Sequence, residues 1–331
     1  MEMGKLKVKI VGTGSYLPEK ILTNFDLEKM VETSDEWITT RTGIKERRIS
    51  GDSEASSDLA YQAAKKTLSE TKINPEEIDL IIVTTVTPDM LFPSTACIVQ
   101  EKLGAKNAFA FDLNAACCGF IYGLSVAHAY LKNETYRTAL VIATETLSKF
   151  VDWEDRSTCV LFGDGAGTAL LRSTNEGESD FLSFYLSSEG EYADLLKLPA
   201  GGSKIPASEK TIGEKLHYIK MNGNEVFKIA VQSMIEAAEK ALEKCGLTCA
   251  DIKLLIPHQA NLRIINAIGK RLNLPEEKIF LNVHKYGNMS AATTAVGLDE
   301  AIKEGKIKTG DLVELVAFGA GFTSAACVIK L

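Results

Sequence analysis

The sequence predicts an α/β protein assembled from two related halves, and three observations point there. Strand-like apolar runs alternate with amphipathic helical stretches along the whole chain. Most runs are continuous Val/Ile/Leu/Ala/Phe stretches rather than apolar–polar alternations, as expected of strands covered on both faces. One helix–turn–strand segment also recurs. Laid over Met234–Ile256 with a shift of 174 residues, Ala60–Ile82 matches Ala63, Ala64, Lys66, Leu68, Ile78, Leu80 and Ile82 to Ala237, Ala238, Lys240, Leu242, Ile252, Leu254 and Ile256.

The elements follow in order. Strands are expected at 8–12, 78–86, 108–113, 138–143, 252–256, 279–283 and 312–317, where the apolar runs lie. Helices are expected at 57–70, 95–103, 118–131, 225–244, 262–272 and 291–303. Several of these carry stripes of small residues that permit close packing. Phe162-Gly163-Asp164-Gly165 and Phe318-Gly319-Ala320-Gly321 each read as a tight hairpin-like turn between two apolar strands, with glycine where the chain must bend sharply. A pseudo-twofold duplication divides the chain into 1–175 and 176–331. It brings the strand ends of both halves to one central site, where α/β sheets place their ligands.

Bulk properties exclude several function classes. The chain has 331 residues, 45% hydrophobic and 24% charged, an ordinary soluble globular composition. Its net charge of −7 argues against a nucleic-acid binder. No apolar run approaches about 18 residues, so no membrane span is expected, and Met1–Lys9 has no signal-peptide core. Seven cysteines, two of them adjacent, form no secreted disulfide framework and read as reduced thiols of a cytoplasmic protein. Four scattered histidines offer no zinc spacing, so no metal is expected.

Three short motifs carry the chemistry. In Ala115-Ala116-Cys117-Cys118-Gly119-Phe120 a thiol sits where a buried strand turns into an apolar helix. Unpaired N–H groups and the helix dipole there are expected to lower the thiol pKa below its free value of ~8.5 and to receive an oxyanion. From the residues alone Cys117 and Cys118 both qualify. Cys97, Cys159, Cys245, Cys249 and Cys327 read as small hydrophobes. His258, after Leu254-Leu255-Ile256-Pro257, stands at a strand end, with Asn261 a candidate helix cap. Asn288 lies in the turn Tyr286-Gly287-Asn288-Met289-Ser290. An imidazole and a carboxamide can donate to one carbonyl oxygen and stabilise an enolate. A thiol nucleophile with two such donors is a plan for acyl transfer. His128 and His217 have no such context; His284 is close enough in sequence to support Asn288.

The chain resembles the β-ketoacyl-acyl-carrier-protein synthase III family over essentially its full length. The resemblance rests on Val11-Gly12-Thr13-Gly14-Ser15-Tyr16-Leu17-Pro18, Asp35-Glu36-Trp37-Ile38-Thr39-Thr40-Arg41-Thr42-Gly43-Ile44, Phe92-Pro93-Ser94, Phe162-Gly163-Asp164-Gly165-Ala166-Gly167, His258-Gln259-Ala260-Asn261 and Phe318-Gly319-Ala320-Gly321-Phe322-Thr323. It implies a thiolase-like fold, an αβαβα layered sandwich. It also implies decarboxylative condensation of an acyl-CoA primer, acetyl-CoA first among candidates, with malonyl-acyl-carrier protein, initiating type II fatty acid biosynthesis. A related thiolase-fold starter-unit synthase of polyketide metabolism, or a hydroxymethylglutaryl-CoA synthase, is the alternative. A papain-like hydrolase lacks its local signature here, and a non-catalytic partner subunit would lack the nucleophile.

Residue by residue, the resemblance selects Cys117 as nucleophile with His258 and Asn288 as its partners. The N–H groups of Cys117 and Ala320 are the implied oxyanion donors; the family's middle glycine is replaced by Ala320, and Cys118 stands where Ala or Ser is usual. Thr33, Trp37, Arg41, Arg156 and Asn261 are implied for coenzyme A, with Trp37 and Arg156 sandwiching the adenine. Phe92 and Phe318 are implied for the acyl pocket, Phe92 reaching toward a partner subunit in a homodimer. No metal or redox cofactor is implied. The Lys45-Glu46-Arg47-Arg48 run reads as a solvated loop. An acidic carrier protein approaching a net-negative chain needs a local basic patch. Arg263, Lys270 and Arg271, at i, i+7 and i+8 on one helix face, supply it together with Lys228.

Overall fold

The computed structural model describes residues 6–133 and 135–331, so Met1–Lys5 of the amino-terminal stretch lies outside the described residues. In chain order the first half contains β1 (Lys7–Tyr16), β2 (Lys20–Thr23), α1 (Asn24–Leu27), α2 (Asp35–Thr42), β3 (Glu46–Ile49), α3 (Ser56–Thr71), β4 (Leu80–Thr84), α4 (Thr95–Leu103), β5 (Phe109–Leu113), α5 (Gly119–Leu131), β6 (Thr138–Thr146) and β7 (Asp164–Thr174). The second contains β8 (Phe181–Ser188), β9 (Leu196–Lys197), α6 (Glu209–Gly213), β10 (Lys220–Met221), α7 (Gly223–Lys244), β11 (Leu254–Pro257), α8 (Leu262–Arg271), α9 (Val283–Tyr286), α10 (Ala292–Lys303), β12 (Leu312–Gly319) and β13 (Thr323–Lys330).

Two sheets repeat one topology. The first runs β1-β7-β6-β4-β5, with its first two pairings antiparallel and its last two parallel. The second runs β8-β13-β12-β11, antiparallel twice and then parallel. Its fifth position is held by a single parallel bridge from Ile279 to Leu255. The strand expected at 279–283 therefore does not form. The Gln259 side chain replaces a strand neighbour there: its Nε2 donates to Phe280 O (3.0 Å), and its Oε1 accepts from the N–H groups of Asn282 (3.0 Å) and Val283 (3.1 Å). The chain then turns directly into α9.

Five layers stack as αβαβα. Alternate residues of β4 face opposite ways, Leu80 and Ile82 toward the central helices and Ile81 and Val83 toward α3 and α4. The central layer is α5 and α10, packed between Val141 and Ile82 of the first sheet and Ile256, Leu315 and Cys327 of the second. Helices α7 and α8 cover the outer face of the second sheet through Ala237, Ala241, Ile264 and Ile268. Small residues set the spacing: a Cβ on Gly123 would come within 2.8 Å of Thr84 and 2.9 Å of Val141. Among the described residues no helix is long and apolar enough to cross a membrane.

Two local expectations change. The Phe318–Gly321 turn joins antiparallel β12 and β13 as expected, with Gly321 at φ 74°. Phe162–Gly165 does not follow a strand; the chain before it forms turns, and Phe162 bridges in parallel to Asn288. The reason is a backbone crossing: Gly163 N donates to Asn288 O (3.1 Å) and Asn288 N to Leu161 O (2.9 Å), while a Cβ on Gly163 would lie 2.4 Å from Tyr286 O. The charged run at 45–48 is not a solvated loop either. Residues 46–48 lie in β3, and Arg47 is fully buried, donating to Leu22 O (3.2 Å), Asn24 Oδ1 (2.9 Å) and Val160 O (2.7 Å). Carbonyl oxygens pair its two terminal nitrogens in place of water while Nε stays without a partner, and burial pushes the pKa down to about 10.

Candidate active site

The nucleophile's corner is built by a polar residue and a strained one. Beyond β5 the Asn114 side chain accepts from Ala116 N (3.2 Å), and Ala116 takes a left-handed φ of 47°. A short 3₁₀ turn, Ala116–Cys118, precedes α5. This turn separates the two thiols. Cys118 is fully buried and its Sγ donates to Thr323 O (3.4 Å), whereas Cys117 faces a cavity of about 1260 Å³.

His258, Asn288, Phe318 and Ala320 line the same cavity. His258 leaves β11 with its N–H donating to Val316 O (2.7 Å). Its Nδ1 lies 2.6 Å from Thr293 Oγ1 at the start of α10. Burial pushes its pKa down to about 3, so the ring is neutral. The Asn288 carboxamide oxygen accepts from Ser290 N (2.8 Å), which leaves its nitrogen free to donate. Its backbone is pinned by the Leu161–Gly163 crossing, so a segment of the first half fixes a side chain of the second.

The thiol does not behave as its place near a helix start predicts. Burial pushes the Cys117 pKa up to about 12, with the Glu145 carboxyl adding to the shift. Desolvation in this cavity is the largest cause and acts against the lowering expected of a helix start, so the thiol form is favoured. Neither Cys117 N nor Ala320 N donates to another residue's backbone among the described turns and loops, and the Cys117 N–H lies against its own sulfur, so both amides are placed to meet an oxyanion formed there.

Four neighbours were not legible as functional from the motifs. A Cβ on Gly319 would lie 2.6 Å from Cys117 N, so β12 needs glycine there to approach the nucleophile's backbone. Glu145, at the buried end of β6, accepts from Thr87 Oγ1 (2.7 Å), Thr85 Oγ1 (3.3 Å) and Val86 N (3.2 Å), and burial raises its pKa to about 7. The signal was a glutamate ending an apolar strand. Ser290, at φ 46°, has a buried hydroxyl without a well-formed hydrogen bond, close to both Cys117 and Glu145. Thr293 is the fourth. His284 lies on α9, its carbonyl accepting from Lys45 N (3.1 Å), and does not line the cavity.

The outer residues divide. Trp37, Arg41 and Asn261 line the cavity, whereas Thr33 and Arg156 do not. Asn261 also caps α8, its Oδ1 accepting from Arg263 N (2.9 Å). The guanidinium carbons of Arg41 and Arg156 lie 4.5 and 5.3 Å from the Trp37 ring centre. A base stacked between Trp37 and Arg156, as expected, needs roughly 7 Å, two van der Waals contacts, so the two side chains as they stand leave no room for one. Arg156 is held by donation to Glu32 O (2.9 Å). Lys228 and Arg263 stand exposed on the cavity lining, while Lys270 and Arg271 are exposed farther along α8. Phe318 lines the cavity. Phe92 does not: it is 85% exposed on the segment before α4, outside this chain's pocket.

Comparison with known proteins identifies the family and the fold. Residues 111–190 match the family model of 3-oxoacyl-[acyl-carrier-protein (ACP)] synthase III, and 242–331 match that of its C-terminal part. A beta-ketoacyl-[acyl-carrier-protein] synthase III of Caldanaerobacter subterraneus subsp. tengcongensis is 58% identical over 98% of both chains, and one of Clostridioides difficile 55% identical over 98% of both. The crystal structure of 3-oxoacyl-[acyl-carrier-protein] synthase III from Aquifex aeolicus superposes with a TM-score of 0.90 at 52% identity, covering 98% of this chain and 100% of that one. Identity at this level, sustained from end to end in a shared fold, places the chain in the β-ketoacyl-[acyl-carrier-protein] synthase III family of condensing enzymes.

Proposed function

We propose that this acyltransferase condenses an acyl-CoA primer with malonyl-acyl-carrier protein to give 3-ketoacyl-carrier protein, coenzyme A and CO₂, the opening step of type II fatty acid synthesis. One observation carries the reading: Cys117, His258 and Asn288, drawn from three distant motifs, line a single cavity. In the first half-reaction the Cys117 sulfur adds to the thioester carbonyl, and the N–H groups of Cys117 and Ala320 hold the oxyanion. The C–S bond to coenzyme A breaks, and the departing thiol takes up the proton that Cys117 lost. In the second, His258 Nε2–H and the Asn288 amide donate to the malonyl thioester oxygen. The malonyl C–C bond breaks to release CO₂, the enolate carbon attacks the acyl-cysteine carbonyl, and the acyl C–S bond breaks to return the Cys117 sulfur as a thiolate that regains its proton from solvent. These two half-reactions call on no metal or redox cofactor.

Trp37, Arg41 and Asn261 are read as the coenzyme A contacts, with Thr33 and Arg156 joining once Arg156 moves off the indole. Phe92 is read as closing the acyl pocket of a second copy in a homodimer; its exposure on this chain supports that. The repeated sheet topology supports a division into 1–175 and 176–331. Seven free thiols fit a reducing cytoplasm. The test is turnover of a panel of acyl-CoA primers with malonyl-carrier protein. Wild type should form 3-ketoacyl-carrier protein, and Cys117→Ser should form none. Undiminished condensation by that variant overturns the reading.

A further inference from the structure

We propose that Thr293 is a positioning residue that fixes the tautomer of His258, its hydroxyl donating to Nδ1 so that the ring presents Nε2–H to the cavity. The proposal rests on the donor role given to His258 above. Thr293 Oγ1 lies 2.6 Å from His258 Nδ1 and 2.9 Å from Ser290 O. A threonine hydroxyl has one proton, so it can serve only one of these at a time.

The donor role of His258 selects the ring, since the alternative, Nδ1–H donating to Oγ1 and Oγ1–H to Ser290 O, would leave Nε2 without a proton. Ser290 O already receives the backbone N–H of Thr293 at 3.2 Å, so that carbonyl stays satisfied when the hydroxyl turns away. Nδ1 has no other partner among the described residues. His258 and Thr293 are both buried, so water cannot serve in its place. A buried neutral imidazole carries one proton, and the nitrogen left without it must accept or remain unpaired. Where Thr293 donates to Nδ1, that proton sits on Nε2, which is the atom that must donate to the thioester oxygen during decarboxylation. With the opposite tautomer Nε2 would aim a lone pair at that oxygen and repel it.

No covalent change in Thr293 is involved. Its effect falls on one half-reaction: acyl transfer from coenzyme A uses the amides of Cys117 and Ala320, whereas enolate formation uses the ring. A residue needed only for packing would disturb both halves alike.

The tautomer can be read directly from ¹⁵N-histidine-labelled enzyme without substrate, the His258 signals being assigned by their loss in His258→Asn. At neutral pH the proton should lie on Nε2 in wild type and in Thr293→Ser. Thr293→Val should show a mixture or Nδ1–H. Carbon dioxide release from malonyl-carrier protein should fall roughly tenfold to a hundredfold in Thr293→Val, the cost of an unpaired buried polar atom. Acylation of Cys117 by acyl-CoA should stay within about threefold, as should both activities of Thr293→Ser. A wild-type proton on Nδ1 overturns the proposal, even if Thr293→Val fails to fold. So does an equal loss of both half-reactions in a folded Thr293→Val. The tautomer is measured without turnover, so failure of wild type to condense would overturn the functional reading instead.

Discussion

Gly319 and Cys117 meet backbone to backbone: a Cβ added to the glycine would lie 2.6 Å from the cysteine's nitrogen and 3.0 Å from the Ala116 side chain. The contact joins the end of a strand in the second half to the nucleophile's turn in the first. Gly319 has φ −152°, an extended conformation open to any residue, so space alone excludes a side chain.

Gly319→Ala should therefore act on the oxyanion site. A methyl at that distance must push Cys117 N away from Ala320 N or displace Ala116. Losing one oxyanion donor costs roughly a hundredfold to a thousandfold in rate, and acylation of Cys117 by acyl-CoA should fall by that order. A small alkylating reagent, which needs no oxyanion hole, should still modify Cys117 at close to the wild-type rate. Equal loss of acylation and alkylation would mean that the thiol itself, not its amide, had moved.

Glu145 predicts a pH dependence of stability. Burial raises its pKa from 4.5 to about 7 despite three donors to its carboxyl group. The folded state binds this proton more tightly than the unfolded chain. The contribution is thus fully present below about pH 4.5 and declines as pH rises toward 7, by about 3 kcal/mol. Glu145→Gln removes the ionisation. Its melting temperature should exceed that of wild type at pH 8, with the gap closing toward pH 4.5. Removing the charge should also speed alkylation of Cys117, because Glu145 helps hold that thiol protonated. A gap that stays constant across this range would show that the carboxyl does not titrate there.

Much of the fold was legible because burial on both faces writes continuous apolar runs. Thr95–Leu103 forms the helix expected, and β4, β6 and β12 lie on the runs that announced them. Strands β7, β8 and β13 carry weaker signals: β7 begins Asp-Gly-Ala-Gly-Thr, and β8 places exposed Leu182 and Leu186 among its serines. The 279–283 run misled because a side chain, Gln259, took the place of a neighbouring strand, and no local pattern encodes that. That Cys117, His258 and Asn288 would share one cavity was legible because each lies within two residues of a glycine or proline at the end of an element. Arg47, Gly319 and Thr293 were not, since their roles depend on contacts with residues more than 30 positions away. The thiol's raised pKa was equally hidden: helix position is local information, whereas desolvation is set by both halves together.

The basic patch now divides by position. Lys228 and Arg263 line the cavity mouth, and Arg263 lies 5.6 Å from the Phe227 ring, which holds its charge near the opening. Lys270 and Arg271 lie about two turns farther along α8, roughly 10 Å from Arg263 at 1.5 Å per residue. That is about one Debye length at 0.1 M salt. Lys228 is partly neutralised by Glu225 at 3.0 Å, so Arg263 is the stronger anchor. Arg263→Glu should raise KM for malonyl-carrier protein more than Lys228→Glu does, and Lys270→Glu less than either. Each loss should shrink as salt is added, because exposed charges steer encounter through screened fields. Acylation by acyl-CoA should change little in Lys228→Glu and Lys270→Glu. If Lys270→Glu proves as damaging as Arg263→Glu, the carrier protein lies along the whole helix face and not at the mouth alone.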